Sequence, residues 1–139
     1  MTGVPASSSR QLDLILDIAV DSPSVLAVLR AGIGDSPLIP DAINGKVQLV
    51  VTELATNTLA YAGGTGRVRL WCTVDLLMCE VSDCGPGIAT AIPLTMPGLL
   101  QHGGRGLFLC REFSTDLRIE GGTSGTTVTA VFALAPPDR

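Results

Sequence analysis

The chain has 139 residues, of which 46% are apolar and 16% charged, and its formal net charge at pH 7 is −4. This length fits one domain, the apolar content excludes a disordered protein, and the acidic balance argues against a dedicated nucleic-acid binder, which usually carries a basic face. No apolar run approaches the roughly 18 residues of a membrane span, and the first residues lack the apolar core of a signal peptide. We therefore expect a cytosolic protein with a flexible start (1–10), one domain (11–135) and a short tail (136–139).

The rare residue types exclude several kinds of site. Lys46 is the only lysine and His102 the only histidine. A P-loop needs its lysine within G-x-x-x-x-G-K-[ST], which Lys46 does not have, and a eukaryotic-type kinase needs a strand lysine and an H-R-D loop. A single histidine cannot form a histidine-rich zinc site. Because the cysteines form no C-x-x-C pair, we expect reduced, mostly buried thiols. They are Cys72, Cys79, Cys84 and Cys110.

The pattern of apolar and turn-forming residues predicts eight elements in the order β-α-α-β-β-loop-α-β-β. They are a strand over 12–20, helices over about 23–32 and 41–62, a hairpin with strands over 67–74 and 77–82, a helix over about 106–113, and strands over about 115–120 and 126–134. This order predicts a two-layer α/β sandwich, with a mixed, mostly antiparallel sheet and the helices on one face. Residues 88–102 contain two prolines and no clean period, so we expect an irregular loop there.

The second predicted helix carries both an apolar face and a polar pair. Its apolar face repeats with a period of 3.6 residues, through Val47, Val50, Val51, Leu54 and Thr58. Glu53 and Asn57 are four residues apart, so they lie about one turn apart on one face. A carboxylate and an amide oxygen on a rigid helix suit a magnesium ion, or a base next to a ligand. An ordinary solvent-facing helix surface is the alternative.

A glycine-rich turn follows the second strand of the predicted hairpin. Asp83 ends that strand and is followed by Cys84, Gly85, Pro86 and Gly87. Glycine lets a backbone approach a ligand closely. A carboxylate at a strand end can accept a hydrogen bond from an exocyclic amine, and such a bond is worth about 1.5–3 kcal/mol. The alternative is a tight turn with Asp at its first position.

A second glycine-rich turn opens the third predicted helix. It reads Gly103, Gly104, Arg105, Gly106 and Leu107. Free N–H groups at a helix N-terminus bind phosphate, and glycines expose them. Arg105 adds a positive charge to an otherwise acidic chain. A flexible loop end before a helix is the alternative.

Four segments together resemble the boxes of the GHKL, or histidine-kinase-like, ATPase superfamily, which includes gyrase, the heat-shock chaperone, histidine kinases and mismatch-repair ATPases. They are E-L-A-T-N (53–57), D-C-G-P-G (83–87), G-R-G-L (104–107) and G-T-T-V (125–128). Their order, spacing and predicted context match over nearly the whole chain. The resemblance implies an α/β sandwich that binds Mg-ATP, with a flexible lid between the two glycine boxes.

The resemblance also implies roles for single residues. Glu53 resembles the general base that takes a proton from the attacking hydroxyl, and Asn57 resembles the Mg²⁺ ligand. Asp83 resembles the carboxylate that reads the adenine amino group. The other implied nucleotide-binding residues are Gly85 and Gly87 in the adenine pocket, Gly104, Arg105, Gly106 and Leu107 in the phosphate-binding turn, and Thr126 near the adenine. Tyr61 departs from the pattern, because many relatives carry histidine near the end of this helix.

In its length and in the segment GRGLFLCREFSTDLRIE (104–120), the chain resembles the stand-alone bacterial anti-sigma factor serine/threonine kinases. From this length we expect that the chain contains neither a transducer domain nor a chaperone middle domain. We also expect no dimerisation helix with a phospho-accepting histidine. In that group a kinase dimer holds a sigma factor inactive and phosphorylates an anti-sigma antagonist of the STAS fold. The resemblance therefore implies ATP and Mg²⁺ as cofactors. It implies a sigma factor, a STAS-domain antagonist and a second copy of the chain as partners, with no direct nucleic acid and no membrane.

Two other functions stay open at this point. One is a nucleotide-gated binding module that sequesters a regulatory partner without transferring phosphate. The presence of Glu53 favours the kinase over this module, because a module needs no base. The other is a histidine-kinase catalytic domain that serves a separate phosphotransfer protein.

Overall fold

The computed structural model of the protein describes residues 12–61, 65–83, 104–122 and 125–134. The strands are β1 (Asp13–Val20), β2 (Gly66–Cys72), β3 (Leu76–Asp83), β4 (Asp116–Gly122) and β5 (Gly125–Ala133). The helices are α1 (Val25–Gly34), α2 (Asp41–Tyr61) and α3 (Gly104–Phe113). Each predicted element is therefore present, with its ends shifted by a few residues at most. The predicted irregular segment 88–102 and the residues Cys84, Gly85 and Gly87 lie outside the described residues.

Local hydrogen bonds explain two of the shifted ends. Pro23 was expected in the first turn of a helix, but the N–H of Val25 donates to the carbonyl of Ser22 at 3.1 Å. Pro23 therefore lies in a turn before α1, and the helix begins two residues later than predicted. At the hairpin, the N–H of Leu76 donates to the hydroxyl of Thr73 at 3.1 Å. The side chain of Thr73 thus closes the turn, and β3 begins one residue earlier than predicted.

The five strands form one sheet in the order β1-β2-β3-β5-β4. Each described strand pair is antiparallel, so the parallel component of a mixed sheet is not found among the described strands. β5 lies between β3 and β4, so the last strand of the chain pairs with the hairpin strand β3 on one side and with β4 on the other. The predicted fold class, an α/β sandwich with helices on one face of the sheet, is confirmed.

The core lies between α1, α2, α3 and one face of the sheet. The predicted apolar face of α2 is fully buried, and alternate residues of β2, β3 and β5 meet it in a single cluster. Burying a valine or leucine side chain contributes roughly 1.5–3 kcal/mol. This packing fixes α2 rigidly over the sheet, so the polar residues of α2 have fixed positions too. None of the described helices has both the length and the apolar character needed to cross a membrane.

The described cysteines are free and buried, as the sequence predicts; they are Cys72, Cys79 and Cys110. Burial raises the pKa of all three thiols. For Cys110 it raises the pKa to about 12, with a smaller contribution from the negative charge of Glu53. These thiols are therefore protonated at neutral pH and are poor nucleophiles.

Gly66 lies where Thr58 of α2 packs against β2, and its substitution is expected to destabilise the fold. A Cβ there would overlap with the carbonyl oxygen of Ser82 and lie 2.7 Å from Cγ2 of Thr58. We expect Gly66→Ala to lower the free energy of unfolding by about 1–3 kcal/mol, because both neighbours are held in place. Gly45 in α2 is the matched control, since a Cβ there meets nothing within 4 Å. Gly45→Ala should raise the free energy of unfolding by roughly 0.5–1 kcal/mol.

Urea denaturation of both variants measures these free energies. A Gly66→Ala protein as stable as the parent would show that α2 does not lie this close to β2.

Candidate functional site

One end of the sheet carries a row of residues in register across four neighbouring strands. Gly66 in β2 pairs with Asp83 in β3. Asp83 pairs with Thr126 in β5, and Thr126 pairs with Gly121 in β4. Asp83 is 9% exposed and Thr126 is 2% exposed, so both face the helices. We call these four residues the polar row: two polar side chains lie side by side, with a glycine at each end.

Helix α2 brings its polar pair to the same end of the sheet. The methyl group of Thr58 lies against Gly66, close enough that a Cβ on Gly66 would be 2.7 Å away. Asn57, the preceding residue, is 3% exposed. Glu53 lies one turn earlier and is half-buried. The spacing that the sequence predicts for Glu53 and Asn57 is therefore realised on a helix that reaches the polar row.

Two buried polar atoms at this end make no hydrogen bond to any described residue. They are Nδ2 of Asn57 and Oγ1 of Thr126. Buried polar groups in proteins are nearly always hydrogen-bonded, and an unpaired one costs about 1–3 kcal/mol. An amide can offer its oxygen to a cation and its nitrogen to an anionic oxygen, and a hydroxyl can donate or accept. The residues present therefore fit a ligand that carries polar groups, such as a nucleotide with its metal ion.

The residues of the predicted phosphate-binding turn form the N-terminus of α3. The helix begins at Gly104 rather than at Gly106 as predicted, so Arg105 and Leu107 also belong to its first turn. This turn contains no acidic residue, so no side chain of the turn itself neutralises the positive end of the helix dipole. The N–H groups of such a turn lack partners within the helix and favour anions.

Cys110 fixes α3 against α2. Its thiol is fully buried and donates a hydrogen bond to the carbonyl of Val50 at 3.6 Å. Glu53 is three residues further along α2, and its charge helps to raise the pKa of the Cys110 thiol. Glu53 therefore lies on the side of α2 that faces α3.

The structure thus places the sequence-predicted residues in two groups. The first group, Asn57, Asp83 and Thr126, lies at one end of the sandwich. The second is the first turn of α3, which holds the predicted phosphate-binding residues. Glu53 lies one turn from Asn57, on the side of α2 that faces α3. Sequence reasoning missed the positioning roles of Gly66, Thr58, Gly121 and Cys110. Glycine inside a strand often marks a close approach of another group, so Gly66 and Gly121 carried a signal that could have been used.

Comparisons with known proteins agree with this architecture. A family model described as a histidine kinase-like ATPase domain matches residues 20–132. The solved histidine kinase domain from the Erythrobacter litoralis EL346 blue-light activated histidine kinase is similar in structure, with a TM-score of 0.53 at 23% sequence identity. The match covers 78% of this chain and 61% of that one, and at this identity it bears on the fold alone. No curated protein matches the sequence at a significant level.

The family match spans most of the described fold. It runs from the last residue of β1 into the final strand and contains both the polar pair of α2 and the polar row. The predicted superfamily is therefore confirmed, and membership supports nucleotide binding. The chain belongs to the histidine kinase-like ATPase domain family.

Proposed function

We propose that the protein binds Mg-ATP over the polar row and phosphorylates a serine or threonine of a partner protein. The observation that carries this proposal is the pair of buried, unsatisfied polar atoms of Asn57 and Thr126 beside Asp83. A fold that leaves two polar atoms buried without partners among the described residues gives up stability. A bound nucleotide would recover that loss.

The chain's own residues would divide the work of binding. When bound, ATP supplies the transferable phosphoryl group, and Mg²⁺ neutralises charge on the phosphates. Asn57 would hold the metal ion through its amide oxygen. Asp83 would accept a hydrogen bond from the adenine amino group, and Thr126 would bind on the same side. The N–H groups of the first turn of α3, with Arg105, would bind the phosphates.

Glu53 would act as the general base. It lies one turn from Asn57 on a helix that is packed against the core, so the backbone position from which its side chain extends is fixed. From there it would accept the proton of the attacking hydroxyl. General-base catalysis typically contributes about 10²–10⁴-fold to the rate. The protonated thiol of Cys110 nearby does not compete as a nucleophile.

The proposed partners come from the resemblance to anti-sigma factor kinases. We propose that the acceptor is an anti-sigma antagonist of the STAS fold, that the sequestered protein is a sigma factor, and that all of them act in the bacterial cytoplasm. The similarity of segment 104–120 and the presence of Glu53 support this finer proposal.

Labelled ATP tests the transfer reaction. The chain is incubated with γ-labelled ATP, Mg²⁺ and a purified STAS-fold protein, and with the variant of that protein whose acceptor serine is alanine. We expect acid-stable label on the first acceptor and none on the second. ATP binding without transfer would favour the binding module, and acid-labile label would favour transfer to histidine.

Gly121 is expected to control the hydroxyl of Thr126. A Cβ at Gly121 would lie 2.9 Å from Oγ1 of Thr126 and 3.2 Å from the carbonyl oxygen of Gly125. Since the carbonyl is backbone, the hydroxyl is the group that must turn away. We expect Gly121→Ala to weaken ATP binding about tenfold, or about 1.4 kcal/mol, in isothermal titration calorimetry.

A double-mutant cycle separates this effect from a general loss of structure. Thr126→Ala removes the hydroxyl, so Gly121→Ala should have no further effect on ATP binding in that background. Losses that simply add would contradict an action of Gly121 through Thr126.

A further inference from the structure

The C-terminal end of α3 is anchored to the sheet at the end opposite the polar row. The N–H of Thr115, which follows the helix, donates to the carbonyl of Val131 at 2.7 Å. The hydroxyl of Thr115 accepts a hydrogen bond from the N–H of Ala133 at 3.1 Å. Along β5, Val131 lies five residues from Thr126 of the polar row, which is about 16 Å in an extended strand. α3 therefore ends far from the polar row.

Helix α2 runs in the other direction. Its C-terminal part reaches the polar row, where Thr58 packs against Gly66. Since the main described contact of α3 is with α2, the two helices pass each other with opposite directions. Along α2 the polar row lies toward higher residue numbers, whereas along α3 it lies toward lower ones. The first turn of α3 is therefore the part of that helix nearest the polar row.

The thiol of Cys110 joins the two helices at a defined height. It is fully buried and donates to the carbonyl of Val50 at 3.6 Å. Toward the polar row, Glu53 is three residues beyond Val50, which is a rise of about 4.5 Å. In the same direction Gly106 is four residues from Cys110, a rise of about 6 Å. The contact therefore brings the predicted phosphate-binding turn level with Glu53.

Cys110 is also held by its own backbone and by its surroundings. The N–H and the hydroxyl of Ser114 both donate to its carbonyl, at 3.0 and 2.6 Å, and close the last turn of the helix. Burial raises the pKa of the Cys110 thiol, and the charge of Glu53 adds to this effect. Burial, with a smaller contribution from Cys110, raises the pKa of the Cys79 thiol in β3. Cys110 therefore lies between α2 and the sheet, in a packed core where small changes of side-chain volume are felt.

We propose that Cys110 is a positioning residue for phosphate transfer, because its contact with Val50 sets the phosphate-binding turn of α3 against Glu53. This inference rests on the proposed ATP site. The adenine side of that site lies on the sheet and includes no residue of α3. Loss of the thiol would therefore let the turn shift relative to Glu53 and weaken the hold on the phosphates, while the contacts to adenine would stay.

Adenosine and Mg-ATP separate the two sides of the site, because adenosine lacks the phosphates. We expect the parent chain to bind Mg-ATP more tightly than adenosine in isothermal titration calorimetry. Cys110→Ala should reduce that advantage about tenfold and leave the affinity for adenosine unchanged. With γ-labelled ATP and the STAS-fold acceptor, its kcat should fall about tenfold or more, since small displacements of reacting groups are costly. Its KM for the acceptor should stay the same.

Cys72→Ala is the matched control, because it makes the same change at a buried cysteine of β2, at the end of the sheet away from the polar row. It should leave both the ATP advantage and kcat unchanged. Cys110→Ser, whose side chain reaches less far toward Val50, should reduce the ATP advantage in the same sense and replaces the alanine variant if that variant does not fold.

Two results would overturn the positioning role. One is an unchanged ATP advantage in the Cys110 variants, and the other is an equal loss of affinity for ATP and for adenosine, which indicates a general loss of structure. A parent chain that binds neither probe would contradict the proposed ATP site itself, and the positioning role with it. The two failures are therefore distinguishable.

Discussion

Replacing Glu53 with glutamine is expected to abolish phosphate transfer to the STAS-fold acceptor while ATP still binds. Glutamine keeps the shape of the side chain, but its amide is not a useful proton acceptor. The rate should fall by about 10²–10⁴-fold, the usual contribution of a general base. Transfer rates with labelled ATP and binding by calorimetry measure the two properties separately.

Glu112→Gln is the control for this prediction, because it makes the same change at an exposed position of α3. It should leave both transfer and binding unchanged. Unchanged transfer in Glu53→Gln would remove Glu53 from the role of base. A large loss of ATP affinity would instead place its charge in the nucleotide site.

Replacing Asn57 with alanine is expected to remove Mg²⁺-dependent ATP binding without lowering stability. The affinity in the presence of Mg²⁺ should fall at least about tenfold, which is 1.4 kcal/mol. The free energy of unfolding without nucleotide should stay the same or rise, because the buried Nδ2 of Asn57 has no partner among the described residues and its removal relieves that cost.

Asn44 in the same helix is the matched control, and its replacement is expected to lower stability without affecting ATP binding. Its amide donates to the carbonyl of Ile33 at 2.8 Å, so Asn44→Ala should lose about 0.5–1.5 kcal/mol of stability and leave ATP binding unchanged. If Asn57→Ala proved as destabilising as Asn44→Ala and kept its Mg²⁺-dependent affinity, Asn57 would be a structural residue.

The elements were predictable from the sequence because their patterns are local. The apolar face of α2 repeats every 3.6 residues, and the strands alternate, so both periods can be read along the chain. The order of strands in the sheet is different. β5 pairs with β3 rather than with β4 alone, and this depends on packing between segments that are far apart in sequence. The same applies to the register that sets Asp83 beside Thr126.

The site was predictable only in part. The spacing of Glu53 and Asn57 shows a shared helix face without further knowledge, whereas Thr126 could be selected only through the family resemblance. Gly121 looked like a loop residue, because two glycines in succession favour a turn, but β4 continues through Gly122. The alternation of β2 could not show that Trp71 lies on the face without helices, since either face of a strand can be the covered one.

Competition between ATP and GTP for the parent chain and for Asp83→Asn tests nucleotide binding over the polar row most directly. Guanine carries an oxygen where adenine carries its amino group, so the buried carboxylate of Asp83 should accept a hydrogen bond from ATP and repel GTP. We predict that the parent binds Mg-ATP more tightly than Mg-GTP. Asp83→Asn should lose that preference, because an amide can also donate. A parent chain that does not bind ATP, or a variant that keeps the full preference for ATP, would contradict this assignment.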